Sequence, residues 1–273
     1  MIYRELEIQA PGQNEAGKLT LYLLDYSERM LLSRQRPLVL ICPGGAYEFV
    51  SEREGEPIAM RFLAMGYHAA ILHYSVSPAR FPEALLQTGA AVKYLKENAQ
   101  AFHIDPDAIV LQGCSAGGHL AASYGVFWSS TLVMEHLQST RQMLRPAGLI
   151  LCYPVITSGA YAHHDSFKNL LGEQYEKLKG EMSLETAVNE DTPRTFLWHT
   201  AADELVPVEN SVLFFSALHS KGISAELHIY PEGEHGLSLA TPLTAEADGT
   251  RQQPECVGWI ELAGTWMEHY RKK

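Results

Sequence analysis

The pentapeptide Gly113-Cys114-Ser115-Ala116-Gly117, set between a strand pattern and a helix pattern, constrains this chain more than any other feature. The run Ala108-Ile109-Val110-Leu111-Gln112 before it is apolar and β-branched, as a short buried strand requires. Gly118-His119-Leu120-Ala121-Ala122-Ser123-Tyr124 after it reads as the first turns of a helix. A G-x-S-x-G pattern at a strand-to-helix turn holds its serine on a strained backbone, with the hydroxyl clear at the end of a sheet. The flanking glycines leave open the space that a β-carbon would fill. Ser115 is the candidate nucleophile. The pentapeptide alone recurs by chance, so the strand and the helix around it carry the inference. Cys114 beside it is not the nucleophile, because the central position of the motif is the exposed one.

A serine on such a turn works with an acid and a histidine that follow it in chain order. Thr195-Phe196-Leu197-Trp198-His199 is an apolar, strand-like run that opens into Thr200-Ala201-Ala202-Asp203-Glu204-Leu205-Val206-Pro207. Asp203 is therefore expected in a loop just past a strand end, where the sites of open α/β sheets collect. Ala225-Glu226-Leu227-His228-Ile229-Tyr230 alternates as a strand does and runs into Pro231-Glu232-Gly233-Glu234-His235-Gly236, a turn-rich loop that presents His235. Three strand ends thus offer Ser115, Asp203 and His235 in the required order.

The fourth requirement is a place for negative charge. Pro37-Leu38-Val39-Leu40-Ile41-Cys42 is a continuous apolar run of the kind a central parallel strand needs, and it ends in Pro43-Gly44-Gly45-Ala46-Tyr47. A glycine pair after a strand lets backbone N–H groups point into a cleft. An attacked ester carbonyl becomes an oxyanion that needs such donors at about 2.7–3.1 Å. The N–H groups of Gly45, Ala46 and Ala116 are the candidates, with Gly44 shaping the turn.

With these segments in place, the chain resembles the α/β-hydrolases of the esterase and lipase branch. The group in question holds hormone-sensitive-lipase-like and acetyl-xylan-esterase-like enzymes, and the bacterial carbohydrate acetylesterases match best. The resemblance runs from about residue 38 to the C-terminus. Its marks are the oxyanion segment, Ser51-Glu52-Arg53-Glu54-Gly55-Glu56-Pro57, the serine turn with Gly118-His119-Leu120-Ala121, Asp203-Glu204-Leu205-Val206-Pro207 and Gly233-Glu234-His235-Gly236. It implies an α/β-hydrolase fold, a mostly parallel sheet flanked by helices with a small cap insertion. It also implies a serine ester hydrolase that needs no cofactor and acts on short acyl esters, acetyl on a sugar or oligosaccharide among them. Two positions depart from the pattern: Pro43 stands where the branch usually has histidine, and Ala46 where it has a third glycine. Alanine still supplies a backbone N–H.

At 273 residues the chain can bury roughly three quarters of its unfolded surface in one core, which suits a single domain over residues 1–273. The expected order is strands at 2–9 and 18–25 around a Pro11-Gly12-Gln13-Asn14 turn, a helix at 57–65, a strand at 67–74 and a helix at 83–98. A strand at 149–153 precedes a charged, cap-like insertion at 161–191, and helices at 210–221 and 257–271 close the alternation. No run reaches the ~20 apolar residues of a membrane span. The acidic, alternating start is unlike a signal peptide, so a cytoplasmic location is expected. The formal net charge of −11 repels a phosphate backbone and argues against nucleic acid as a partner. The oligomeric state is open, a homodimer included.

The remaining polar residues divide by context. Cys42, Cys114, Cys152 and Cys256 show no C-x-x-C spacing and read as buried, reduced thiols. His119 reads as a hydrogen-bonded core residue and His199 as structural. His163-His164-Asp165 lacks matching ligands elsewhere, so no metal is expected. Tyr47, Tyr74, Tyr153 and Trp198 fall near strand ends, where a ring can either stack on a sugar or pack in the core; Tyr47 and Trp198 are the candidate substrate-binding rings. Glu48, Glu52, Glu54 and Glu56, after the oxyanion loop, read as a solvated helix entry, and Arg53 as pairing with an acid to hold that loop in shape.

Two other readings share the pattern. A peptidase of the prolyl-oligopeptidase type has the same residue order but usually a large N-terminal domain, where this chain has about 35 residues before its first central strand. A ligand-binding protein on the same fold typically lacks the histidine that His235 supplies.

Overall fold

The structure, a computed structural model, describes residues 1–13, 15–30 and 35–271. Asn14 of the expected turn and the last two residues of the chain lie outside the described residues. Eight strands form one sheet in the order β1-β2-β4-β3-β5-β6-β7-β8. They are β1 (Ile2–Ile8), β2 (Gly17–Leu23), β3 (Arg36–Cys42), β4 (His68–His73), β5 (Ile104–Cys114), β6 (Gly148–Cys152), β7 (Thr195–Thr200) and β8 (Ala225–Tyr230). β1 and β2 pair antiparallel and β2 meets β4 antiparallel, while all the other neighbours run parallel.

The continuous apolar runs become the strands that are buried on both faces. Every residue of β3, β6 and β7 is buried. Strand alternation divides their side chains between two cores: Leu38, Leu40 and Cys42 enter one, and Val39 and Ile41 the other. Helices Glu83–Glu97, Ser115–Phe127 and Glu209–Ser220 cover the first core; Glu56–Ala64 and Trp259–Met267 cover the second. This is the doubly covered α/β-hydrolase arrangement that the sequence implied.

The chain adds β4 on one side of β3 and then crosses to place β5 on the other. Strand order reverses at the β3–β5 boundary, and a crevice opens beyond the carboxyl ends of strands at such a point. The loop after β3 carries Gly44 and Gly45, and the turn after β5 carries Ser115. Between β6 and β7 the chain makes short helices, including His164–Leu171 and Tyr175–Leu178. Phe167, Leu170, Leu171, Met182 and Leu184 of this segment are buried in the first core. Among the described residues no helix is long and apolar enough to cross a membrane.

Two buried histidines make the fold acid-sensitive. His119 accepts from the Tyr47 hydroxyl at Nδ1 (2.9 Å) and donates from Nε2 to the Met182 carbonyl (3.1 Å). His68 accepts from the Leu24 N–H at 3.1 Å. Burial pushes both imidazoles down to about 4. A histidine held below its unfolded value of about 6.5 takes up its proton only on unfolding. Stability is therefore full above about pH 6.5 and falls as pH drops toward 4, by about 2 kcal/mol per histidine at pH 5. Urea midpoints at pH 8 and pH 5 check this. His119→Asn, which does not titrate, should show a smaller pH dependence than the wild type, and identical wild-type midpoints at the two pH values contradict the reading.

Candidate active site

Ser115 opens the helix Ser115–Phe127 with φ of +53°, a left-handed value that a non-glycine residue adopts only where its surroundings enforce it. What enforces it is close packing. A β-carbon on Gly117 would lie 2.0 Å from the Cys42 carbonyl oxygen, so the helix presses directly on the end of β3. The strained turn predicted from the pentapeptide is present.

The loops after β7 and β8 bring Asp203 and His235 to this serine. His235 Nε2 lies 2.7 Å from Ser115 Oγ, and His235 Nδ1 lies 2.6 Å from Asp203 Oδ2. A carboxylate only accepts, which assigns the imidazole proton to Nδ1 and leaves Nε2 to receive the serine hydrogen. Asp203 Oδ1 accepts from the N–H groups of Leu205 (3.0 Å) and Val206 (2.9 Å). Burial pushes the Asp203 carboxyl up, but the hydrogen bonds from His199 and His235 outweigh it and hold the group well below the usual carboxylate range.

His199 has more to do here than its sequence position suggested. It is fully buried, and its Nε2 donates to the Val206 carbonyl (2.9 Å) and toward Asp203 Oδ2 (3.2 Å). Its Nδ1 faces Ser211 Oγ at 2.8 Å. It ties the loop of Asp203 to β7 and to the following helix. Its position four residues before the acid, at the end of the same strand, was the available signal.

The oxyanion segment is also held in an unusual backbone shape. Gly45 has φ of +126°, Ala46 +54° and Tyr47 +56°. Its carbonyls are occupied: Gly44 O accepts from Ser51 N, Gly45 O from Glu48 N and Phe49 N, and Ala46 O from Asn169 Nδ2 at 3.0 Å. Among the described residues, the N–H groups of Gly45 and Ala46 donate to no protein acceptor. Ala116, second in its helix, has no carbonyl four residues back to bond within the helix. The three candidate donors are thus unengaged, at the positive end of a helix dipole.

Several expectations need correction. Tyr47 and Trp198 do not offer ring faces to a ligand: both are buried, Tyr47 on Tyr74 and His119, Trp198 stacked on Trp259 at 5.3 Å. Local pattern does not say which side of a strand end each ring takes. The exposed large apolar side chains on the loops after β3, β6 and β7 are Phe49, Tyr161 and Leu205. Glu54 is not solvated like its neighbours but buried, and it accepts from the Gly44 N–H. Arg53 does pair with an acid, Glu246 at 3.3 Å, while also donating to the Gly236 and Thr244 carbonyls. The loop it holds is the histidine's.

His163 and His164 bond to Ser166 (2.8 Å) and Tyr175 (3.0 Å), and no metal-ligating cluster occurs among the described residues. All four cysteines are free and buried, and burial raises the Cys114 thiol well above its ordinary value. A cavity of about 840 Å³, lined by Asp105, Arg141, Arg194 and Tyr270 among others, lies at the opposite ends of β5, β6 and β7. It is remote from Ser115 and carries charges of both signs.

Comparison with known proteins agrees with this geometry. The chain is similar to endo-1,4-beta-xylanase B of Butyrivibrio fibrisolvens, 37% identical over 212 residues that cover 76% of this chain and 33% of that protein. It is similar to the acetylxylan esterase of Xylanibacter ruminicola, 29% identical over 206 residues, 73% of this chain and 40% of that one. The chain therefore spans between a third and two fifths of the length of these two relatives. Solved structures match at full length. The acetyl ester-xyloside bifunctional hydrolase of Caldicellulosiruptor lactoaceticus superimposes with a TM-score of 0.83 at 34% identity, covering 97% of this chain and 96% of that one. The carboxylesterase Cest-2923 of Lactobacillus plantarum gives 0.87 at 28%, covering 99% and 98%. The sequence model of the BD-FAE family matches residues 24–218, most of the chain. By that match and by the fold it shares with these hydrolases, the chain belongs to the BD-FAE family.

Proposed function

We propose that this protein is a serine carboxylic-ester hydrolase for short acyl esters, acetyl above all, with acetylated sugars or oligosaccharides as its natural class. The observation that carries the reading is the continuous Ser115–His235–Asp203 hydrogen-bond chain beside the unengaged N–H groups of Gly45 and Ala46. His235 takes the Ser115 proton as the serine oxygen attacks the ester carbonyl, and Asp203 stabilises the imidazolium that results. The N–H groups of Gly45, Ala46 and Ala116 hold the oxyanion. The tetrahedral adduct collapses, the alcohol leaves with the proton from His235, and water repeats the sequence to release the acid. The sugar part of the proposal draws on two relatives, one named for acetylxylan and one for an acetyl ester and a xyloside.

Acyl length tests the proposal. The large apolar residues of the 161–191 segment, Phe167, Leu170 and Leu171, are buried in the core rather than left to cradle a fatty chain. Ala46 adds a methyl group to the oxyanion loop where glycine would leave space. Each methylene buried in a fitting tunnel contributes about 0.8 kcal/mol, so a long tunnel makes kcat/KM climb with chain length. The expected result is the reverse. Acetyl and propionyl p-nitrophenyl esters should be best, with a fall of at least about tenfold by octanoyl, equivalent to ~1.4 kcal/mol. An optimum at octanoyl or longer in a C2–C12 series without detergent overturns the short-acyl reading. Turnover of an aminoacyl-proline anilide in preference to p-nitrophenyl acetate moves the protein to the peptidases.

A further inference from the structure

We propose that Glu54 is a positioning residue, a buried carboxylate that locks the oxyanion loop and the histidine loop to each other. The proposal rests on the ester-hydrolase reading of the same site. Glu54 Oε2 accepts from the Gly44 N–H at 2.8 Å, and Oε1 accepts from the Tyr153 hydroxyl at 2.7 Å. That hydroxyl in turn accepts from the Ser238 N–H at 2.8 Å, three residues past His235. Ser238 Oγ closes the circuit by donating to the Arg53 carbonyl at 2.6 Å. The Tyr153 ring meets His235 edge-on, with centroids 5.2 Å apart. A single side chain thus touches the residue before the oxyanion donors and, through one oxygen atom, the loop that carries the base.

Three features separate this from ordinary core packing. First, Glu54 is 3% exposed and, among the described residues, has no cationic partner; its acidic neighbours Glu52 and Glu56 are exposed. A fold seeking stability alone gains little from a buried, unpaired acid, because desolvation of such a group is costly. Second, both oxygens are needed. The Gly44 N–H can only donate, and the Tyr153 oxygen already receives Ser238 N–H, so the tyrosine proton must go outward to an acceptor. A glutamine can satisfy one of these donors but not both. Third, the contact is tight where it matters: a β-carbon on Gly44 would lie 2.6 Å from Glu54 Oε2 and 3.0 Å from Ser115 Cβ. A small shift of Glu54 therefore moves Gly45 and Ala46 relative to the serine. Those donors engage an oxyanion, which exists only after attack. Loss of their alignment falls on the transition state and spares ester binding.

Glu54→Gln, which keeps the side-chain size, and Tyr153→Phe, which removes only the hydroxyl, test this. In each, kcat for p-nitrophenyl acetate should fall about tenfold or more, with KM within about twofold. A trifluoromethyl ketone that adds to the serine and places its oxygen in the hole should bind more weakly by the factor lost in kcat/KM. The double variant should lose little beyond the worse single one, because both break one circuit. A lowered Tm with unchanged kcat and unchanged ketone binding makes Glu54 merely structural and overturns the proposal, as does full additivity in the double variant. If Glu54→Gln does not fold, Tyr153→Phe, which removes one oxygen, carries the same test. Failure of the underlying reading looks different: the wild type then ignores the ketone, or Ser115→Ala keeps its activity.

Discussion

Alanine at Ser115, His235 or Asp203 should each lower kcat/KM for an acetyl ester by on the order of 10⁴-fold or more, with double variants losing little further. The non-additivity follows from the geometry. Ser115 Oγ and Asp203 Oδ2 are joined only through the His235 ring, at 2.7 and 2.6 Å, so removing any member leaves the other two without a task. What activity survives comes from substrate binding and the oxyanion donors, which these replacements leave in place. Cys114→Ala should keep its chemistry largely intact, since the Cys114 thiol is buried and burial raises its pKa well above the ordinary value. Steady-state kinetics on p-nitrophenyl acetate, with Tm to confirm folding, decides the matter. More than a tenth of wild-type activity in Ser115→Ala removes the serine from its proposed role.

Gly45→Ala should cost a further large factor, on the order of 10²–10³ in kcat, the scale of losing an oxyanion donor. Gly45 has φ of +126°, which no L-side chain adopts readily, and its β-carbon would lie 2.1 Å from the Phe49 carbonyl oxygen. The atom it would meet is backbone, so the loop itself must move, and the Gly45 and Ala46 N–H groups move with it. Gly180→Ala is the matching control, because a β-carbon there meets nothing within 4 Å. It should leave kcat unchanged. A Gly45→Ala enzyme with wild-type kcat means that the oxyanion is held elsewhere.

The strands that build the sheet's centre were legible because period and composition report burial directly. Pro37-Leu38-Val39-Leu40-Ile41-Cys42 has no polar position, and a strand with both faces covered needs none. The chain order of Ser115, Asp203 and His235 was legible for a related reason: each residue follows a recognisable strand by a few positions, so local pattern fixes its place. What surrounds them was not. Glu54 looks like Glu52 and Glu56 in sequence, and only the 3₁₀ turn over Glu52–Glu54 points it inward while its neighbours face water. Tyr47 and Phe49 are two aromatic residues in one loop, and the left-handed backbone at Ala46 and Tyr47 decides which is buried. Periodicity says nothing about such loops, because their geometry is set by contacts with segments more than a hundred residues away, such as Asn169 on Ala46.

The parallel pairing of β3 with β5 has a consequence for how such a protein can diversify. Cys42 lies opposite Gly113 at the last rung of that ladder, one step before the oxyanion segment on one strand and two before Ser115 on the other. A slip of one residue would turn every side chain of a strand to the wrong core, so the rung cannot move. The distance between the two halves of the site is therefore set by the most rigid part of the molecule. The segments that follow β6, β7 and β8 deliver Asp203 and His235 and are tied to that ladder's end at only a few points, among them Asn169 on Ala46, Tyr153 on Glu54 and Ser238 on Arg53. Between those points they can lengthen, shorten or change their apolar residues while the spacing of the β3 and β5 ends stays the same.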